Sequence, residues 1–188
     1  MNKPRTLETF HRIAALVLAA ATFFVAGFAY ADPPSRVARL GYVSGTVSFS
    51  PAGEDEWVHA PLNRPLITGD RLWATPGARA ELQIGAAAIR IGSGTALNLL
   101  NLDDRVGQVE LTQGTVQIRV RRYAPGQVLE VDTPNLAFSV RRAGTYRITV
   151  DPAGDVTRVL VRDGQGDVYG DGAGYVINAG EEIGRAHV

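Results

Sequence analysis

The stretches Gly45-Thr46-Val47-Ser48-Phe49-Ser50 and Gly114-Thr115-Val116-Gln117-Ile118-Arg119-Val120 repeat one pattern within this sequence. In each of them, a glycine and a threonine lead into residues that alternate strictly between apolar and polar. A period of two predicts a β-strand with one buried side and one solvent-facing side. The two stretches therefore predict two half-buried strands, each entered through a glycine turn.

The same alternation continues through the body of the chain from Val37 onward. In Arg79-Ala80-Glu81-Leu82-Gln83-Ile84 the apolar residues face one way and the polar residues face the other. Gly, Pro, Asn and Asp separate these runs, as turns require. We therefore predict an all-β fold, a compact β-sandwich or β-roll of short, mostly antiparallel strands, with short β-helical or solenoid stacking as the alternative. Leu97 to Leu102 is predicted to be a strand followed by a turn.

The first 31 residues have the organisation of a secretory signal peptide with an apolar helix. Lys3, Arg5 and Arg12 are followed by an apolar run and by Ala29-Tyr30-Ala31, a small-residue cleavage site. We predict cleavage between Ala31 and Asp32 and a periplasmic or secreted location, with no membrane span after cleavage. The alternative is an uncleaved membrane anchor, for which the apolar run is slightly short.

Composition excludes several classes of partner and chemistry. The chain has 19 basic and 19 acidic residues, and removal of residues 1–31 leaves 16 and 18. This near balance gives no reason to expect a nucleic-acid partner. The chain contains no cysteine, so it can form neither a disulfide nor a reactive thiol site.

The last seven residues, Glu182-Ile183-Gly184-Arg185-Ala186-His187-Val188, differ in character from the rest. They resemble the translation of a common sequencing-library adapter read in frame. We therefore predict a β-domain over residues 32–181 and an adapter-derived tail over 182–188, so that the natural product would continue. The alternative is a native tail.

A set of short motifs follows the first glycine stretch in a definite order. They are Thr68-Gly69-Asp70-Arg71-Leu72, the alternating run 78–91, the second glycine stretch, Asp132-Thr133-Pro134, Gly144-Thr145-Tyr146, Val159-Leu160-Val161-Arg162-Asp163-Gly164 and Ala179-Gly180-Glu181. In order and spacing, residues 37–181 resemble the FecR-like domain, a periplasmic all-β module. Each motif alone is weakly specific. The resemblance implies a non-enzymatic module that binds partners.

The resemblance also has one departure. The founding members of that family are inner-membrane anti-sigma regulators, with a sigma-binding segment and a membrane helix ahead of this domain. This sequence has a predicted signal peptide in that place, so we do not carry anti-sigma activity over. The amino-acid sequence around Asn101-Leu102-Asp103-Asp104-Arg105 is similar to that of a group of exported proteobacterial proteins. In those proteins a longer region follows the domain, which agrees with the prediction that this chain is truncated.

Catalytic and metal-binding chemistry has little to build on. His59 and His187 are the only histidines after the predicted signal peptide, too few for a histidine-based zinc site or nucleophilic triad. The segment Asp163-Gly164-Gln165-Gly166-Asp167 has the residue types of a calcium-binding loop, but its aspartates do not have the spacing that such a loop requires. Adjacent carboxylates such as Asp103-Asp104 point to opposite faces of a strand or into solvent. We predict no catalytic residues, no cofactor and no metal.

Arginines and one tryptophan are the candidate partner-binding residues: Arg119, Arg121, Arg141, Arg147 and Trp57. If their strands are neighbours, the arginines line one outer face, which would suit carboxylate or phosphate recognition. The alternative, which we favour, is that they pair across strands with Glu110, Glu130 and Asp132. Trp57 is either an exposed aromatic platform or a lid on the core, and we expect the lid. We expect Trp73 in the core.

Three hypotheses about function follow. The first is an exported, non-enzymatic β-module that binds a protein or a cell-envelope glycan, in envelope sensing or signalling. The second is a structural scaffold for a missing C-terminal region. The third is an envelope hydrolase, which the absence of a convincing catalytic constellation disfavours.

Overall fold

The computed structural model describes residues 37–170 and 172–186. In this part of the chain there are sixteen β-strands and no helix, and nearly all strand pairs are antiparallel, which confirms the all-β prediction. The strands, in chain order, are β1 Ala38–Ser44, β2 Val47–Ser50, β3 Val58–His59, β4 Pro65–Leu66, β5 Arg71–Ala74, β6 Arg79–Ile84, β7 Ala87–Ile91, β8 Thr95–Leu102, β9 Val106–Val120, β10 Val128–Asp132, β11 Ala137–Val140, β12 Gly144–Val150, β13 Val156–Asp163, β14 Gln165–Gly170, β15 Ala173–Asn178 and β16 Glu182–Ala186.

The strands form two sheets that share β9. Sheet A has the order β4-β1-β6-β7-β9-β12-β13-β16, and sheet B has the order β3-β2-β5-β8-β9-β10-β11-β14-β15. Residues 106–113 of β9 pair in sheet B, and residues 114–120 pair in sheet A. Among the described strands, β9 and β10 are the one parallel pair. The arrangement is a β-sandwich in which the chain passes repeatedly between layers, not a solenoid of stacked parallel strands.

Both glycine stretches mark places where the chain crosses from one sheet to the other. Gly45 lies between β1 in sheet A and β2 in sheet B, and Gly114 lies where β9 changes sheets. Their φ angles are +75° and +93°, in the left-handed region that favours glycine. A Cβ at Gly114 would lie 2.6 Å from Thr95 Cα. Glycine is therefore required at this crossing by backbone conformation and by space.

One hydrophobic core fills the space between the sheets. Alternate residues of each strand point into it, so β6 buries Ala80, Leu82 and Ile84. Phe138 and Tyr146 pack with ring centroids 5.4 Å apart. Each fully buried large apolar side chain contributes about 1.5–3 kcal/mol, so this alternation both stabilises the fold and fixes which residues face outward.

The tryptophan predictions are wrong. Trp73 lies on β5 between the buried Leu72 and Ala74, so the pleat directs it to the outer side of sheet B, where it is half-buried. Trp57 precedes the edge strand β3 and is 45% exposed, so it is not a lid on the core. Leu97 to Leu102 does form a strand, within β8, and a turn follows it as predicted.

The predicted signal peptide lies outside the described residues, and its cleavage stays a prediction. Residues 182–186 of the predicted adapter tail form β16, which pairs with β13. This pairing does not bear on the origin of the tail, which also stays a prediction. None of the described residues forms a helix of the length and apolarity needed to span a membrane.

Candidate functional site: an arginine-lined groove

The outer face of sheet A carries a row of charged and polar side chains. Strand register places Glu81 beside Arg90, Arg90 beside Gln117, and Gln117 beside Arg147. Their strand neighbours on both sides are buried apolar residues, so the pleat holds all of these side chains on the solvent side. We call this surface the arginine face; its arginines are Arg39, Arg79, Arg90, Arg119, Arg147 and Arg158.

A groove of about 770 Å³ runs across this face. Residues that line it include Tyr42, Arg79, Arg90, Gly92, Thr115 and Arg147. The N–H of Gly92 donates to the carbonyl of Thr115 at 2.9 Å, which closes the strands beneath the groove. A Cβ at Gly92 would lie 3.5 Å from that carbonyl oxygen, an ordinary contact. Packing therefore does not demand glycine at position 92, and its missing side chain leaves the floor open.

The arginines of the face differ in their partners. Arg90 donates from Nε to Glu81 Oε2 at 2.6 Å, and Arg39 donates to Gln83 Oε1 at 3.0 Å. Arg79, Arg119, Arg147 and Arg158 make no hydrogen bond or ion pair with any described residue. Arg79 and Arg147 therefore present free guanidinium groups from opposite sides of the groove. The planar fork of such a group matches carboxylate and phosphate oxygens.

The structure brings together only part of the predicted arginine set. Arg119 and Arg147 lie on the neighbouring strands β9 and β12, on the arginine face. Arg121 lies just beyond β9, where its N–H donates to Ala86 O. Arg141 is not on this face, because its Nε donates to Asp167, which lies on sheet B. That hydrogen bond raises the pKa of Arg141 further above its ordinary value.

Trp57 also lies apart from the groove. The guanidinium of Arg71, on β5 of sheet B, sits 5.6 Å from its ring centroid. Arg71 also donates to Asp55 Oδ1 at 3.2 Å. Trp57 thus belongs to a local aromatic and charged cluster and not to the arginine face.

The favoured pairing of these arginines with Glu110, Glu130 and Asp132 is wrong. Those carboxylates lie on the outer face of sheet B, which we call the acidic face. They accept from neutral donors: Asn98 Nδ2 on Glu110 at 2.6 Å, Gln108 Nε2 on Asp132 at 2.7 Å, and Ser139 Oγ on Glu130 at 2.8 Å. Burial raises the pKa of Asp132, with smaller contributions from the charges of Glu130 and Glu110 in the same direction; the hydrogen bond from Gln108 opposes it.

Sequence reasoning missed Arg79, Arg90, Gly92 and Tyr42 as parts of the site. The alternation already predicted that Arg79 points away from the core. What it did not show is that β7 lies between β6 and β9, which places Arg79 and Arg147 along one groove. Side-chain direction is encoded locally, whereas strand order depends on the whole chain.

Other candidate chemistry has local structural explanations. His59 is exposed on the two-residue edge strand β3. Asp103 Oδ1 accepts from the N–H groups of Arg105 and Val106, both at 2.7 Å, which is turn stabilisation by an aspartate side chain. Over residues 37–170 and 172–186, no three His, Asp or Glu side chains are arranged to hold a metal ion.

Comparisons with known proteins agree with the fold. The sequence model of the family described as "FecR protein" matches residues 70–165, a range that includes Arg79, Arg90 and Arg147. Two crystal structures of a proposed anti-sigma factor from Parabacteroides distasonis, at 2.50 and 1.65 Å resolution, superpose with TM-scores of 0.52 at 15% and 14% identity. Each match covers 62% of this chain and 59% of the solved chain, and at this identity it supports the shared fold. A search of curated protein sequences finds no match.

Proposed function

This chain belongs to the FecR protein family, and we propose that it is an exported, non-enzymatic module that binds an acidic protein partner in the groove of the arginine face. The solved structures of similar fold are described as those of a proposed anti-sigma factor, a class of protein that acts by binding another protein, and this supports a protein partner. The module would act in envelope sensing or signalling.

The observation that carries this proposal is the pair of free guanidinium groups of Arg79 and Arg147 on either side of the groove. A cation on a folded surface is often paired with a neighbouring carboxylate. Here the groove carboxylate, Glu81, is already bound to Arg90 at 2.6 Å. An acidic side chain of a partner could accept hydrogen bonds from the two unpaired guanidinium groups. Their positive charge would also attract an acidic partner over a long range and steer its approach.

The rest of the lining favours a protein over a glycan. Tyr42 is 52% exposed at one end of the groove, where its ring adds aromatic surface to the lining. Tyrosine and arginine are enriched in protein interfaces, where an apolar centre is surrounded by polar groups. A cell-envelope glycan is the competing ligand and forms one arm of the test.

The test compares two variants with a matched control. Partners are captured by crosslinking in cells that produce the full chain, then purified and titrated against it. Arg79→Glu/Arg147→Glu is expected to lower the affinity by about 30-fold, from loss of two exposed charge-assisted contacts of about 1 kcal/mol each. The control, Arg105→Glu/Arg122→Glu, makes the same charge change at exposed turns and should bind as the parent does.

Uncharged substitutions at Gly92 separate the contribution of groove shape to binding from the contribution of charge. Gly92→Leu fills the groove floor without changing its charge and should abolish binding, whereas Gly92→Ala adds one carbon and should weaken it less. Equal capture by the parent, the Arg79→Glu/Arg147→Glu variant and Gly92→Leu would contradict the proposal and favour a scaffold. Capture of an acidic glycan and no protein would contradict the protein partner.

Export is tested separately by sequencing the N-terminus of the protein recovered from the cell envelope. We expect the mature chain to begin at Asp32. A chain that begins at Met1 would overturn signal-peptide cleavage and leave the groove proposal intact.

A further inference from the structure

Four strands lie at the edges of the two described sheets, and three of them are protected against pairing with another chain. β3 and β4 have two residues each. β16 carries Glu182 and Arg185, charges that discourage edge-to-edge contact. Very short edges and edge charges are the usual protections of natural sheets.

The fourth edge, β15, is neither very short nor charged within the strand. Its sequence is Ala173-Gly174-Tyr175-Val176-Ile177-Asn178, six residues without a charge or a proline. It pairs with β14 on one side, and no described strand pairs with it on the other. On that edge the N–H of Asn178 is satisfied by Glu181 Oε2 at 2.7 Å. The rest of β15 therefore offers a free edge for another strand.

The exposed side chains of this edge are aromatic and aliphatic, and the guanidinium of Arg185 lies 5.9 Å from the ring centroid of Tyr175. Tyr175 is 49% exposed and Val176 is 57% exposed, and Tyr169 on the neighbouring β14 is 46% exposed. Tyrosine and valine are favourable cross-strand partners. The edge thus combines available backbone hydrogen-bonding groups with side chains that gain from being covered.

We propose that two copies of this chain pair through β15 in antiparallel orientation, so that sheet B continues from one protomer into the other. A two-fold axis would place the same strand on both sides, and because the described β15 is uncharged, no like charges would oppose each other. The partner is a second copy because antiparallel pairing of β15 with itself would cover the exposed Tyr175 and Val176 of both strands and would place no charged strand residue opposite another. The proposal goes beyond the groove, which lies on sheet A.

The interface is small. A six-residue strand spans about 20 Å, and the pairing would bury less surface than a permanent dimer needs. We therefore expect a reversible dimer with a dissociation constant of about 10–100 μM, not a nanomolar one.

Sedimentation of the purified protein over a concentration series tests the proposal. Val176→Lys places a charge on the edge and should raise the dimer dissociation constant at least about tenfold, since like charges would then meet across the two-fold axis. The control is Leu62→Lys, because Leu62 is 56% exposed against 57% for Val176; it should leave the constant unchanged. Unchanged thermal melting of both variants shows that the fold is retained.

Cysteine crosslinking locates the pairing, and the chain offers a clean background because it contains no cysteine. Single cysteines at Gly174, Tyr175 and Val176 should give disulfide dimers with a maximum at one position. Directly opposed residues of an antiparallel pair lie about 4.5–5.5 Å apart, within disulfide reach. Leu62→Cys should give none.

Three outcomes would overturn the proposal. These are a monomer at every concentration up to about 1 mM, a dimer that Val176→Lys does not weaken, and a monomer whose β15 crosslinks to a different protein. None of these results tests the proposed binding in the groove, because the groove lies on sheet A and β15 lies at the edge of sheet B. Likewise, variants of Arg79 and Arg147 leave β15 unchanged.

Discussion

The arginine face and the acidic face are built alike and charged oppositely. Both are outer surfaces of sheets whose inner sides share one core. On the arginine face, Arg79 and Arg147 have no partner among the described residues. On the acidic face, Glu110, Glu130 and Asp132 are held by amide and hydroxyl donors. The unpaired arginines and these three carboxylates thus lie on opposite sides of the core and do not pair with each other.

Strand β9 shows how one stretch of chain supplies both faces. Its first half buries Val109 and Leu111 and directs Glu110 outward, and its second half buries Val116 and Ile118 and directs Arg119 outward. Odd-numbered residues face the core before Gly114, and even-numbered residues face it afterwards. The crossing shifts the alternation by one residue, so the carboxylate and the guanidinium lie on opposite outer surfaces. Stacked sheets are about 10 Å apart, too far for these side chains to pair.

The largest expected effect comes from disturbing this crossing. Gly114→Ala would place a Cβ 2.6 Å from Thr95 Cα at a φ of +93°. Strain and overpacking together should lower the free energy of unfolding by about 3 kcal/mol. Urea denaturation measures this change.

Gly126→Ala is the matched control for that substitution. Gly126 also has a positive φ, +81°, but nothing lies within 4 Å of an added Cβ. It should lower the free energy of unfolding by about 1 kcal/mol, from conformation alone. An equal decrease in the free energy of unfolding in the two variants would show that steric contact at the crossing is not the reason why glycine is needed at position 114.

Much of this fold is encoded locally and was predictable. Alternation in residues 79–84 gives the strand β6 and its buried side, and the order of glycine motifs indicates the family. The outer face on which each charged side chain lies, and the partner it bonds, were not predictable. Both depend on the shift of the alternation at Gly114 and on the order of the strands. Arg141 illustrates this, since the sequence predicted either a shared face with Arg147 or pairing with Glu110, Glu130 and Asp132, whereas the side chain bonds Asp167 on sheet B.

A second effect, on stability, comes from Tyr146, which fastens two connections between the sheets. Its Oη donates to Arg142 O and accepts from the N–H of Gln165 at 3.3 Å. Tyr146→Phe should lower the free energy of unfolding by about 1 kcal/mol, because two partly buried backbone groups lose a partner. Thermal or urea unfolding would detect it, and a change below about 0.3 kcal/mol would mean that water replaces the hydroxyl. Tyr123→Phe, on a half-buried tyrosine without a hydrogen bond among those described, is the control.

A smaller effect tests the acidic face through pH. The pKa of Asp132 is raised from its ordinary value of 3.8, mainly by burial. The folded state therefore binds this proton more tightly than the unfolded state does. Its contribution to stability is greatest below the ordinary value and falls as pH rises from there through the raised pKa.

Asp132→Asn removes that titration and keeps an oxygen that can accept from Gln108. At pH 7 it should raise the free energy of unfolding by about 0.5 kcal/mol, a small value because the carboxylate is partly exposed and screened. The difference should vanish below pH 3.8. Melting temperature against pH for both proteins measures it, and a variant less stable than the parent at pH 7 would show that the hydrogen bond from Gln108 outweighs burial and repulsion.

A small effect of similar size, on binding instead of stability, sharpens the contrast between the faces through one neutralising substitution on each. Glu81→Gln releases Arg90 from its ion pair and should strengthen the binding of a hexaglutamate peptide about threefold, since an exposed charge contributes about 0.6 kcal/mol. Glu110→Gln makes the same change on the acidic face, on the far side of the core, and should leave the affinity unaltered. Calorimetric titrations at low salt compare them. If both variants strengthen binding equally, overall charge attracts the peptide and the groove does not; if only Glu81→Gln does, the free guanidinium groups beside Gly92 are what the peptide contacts.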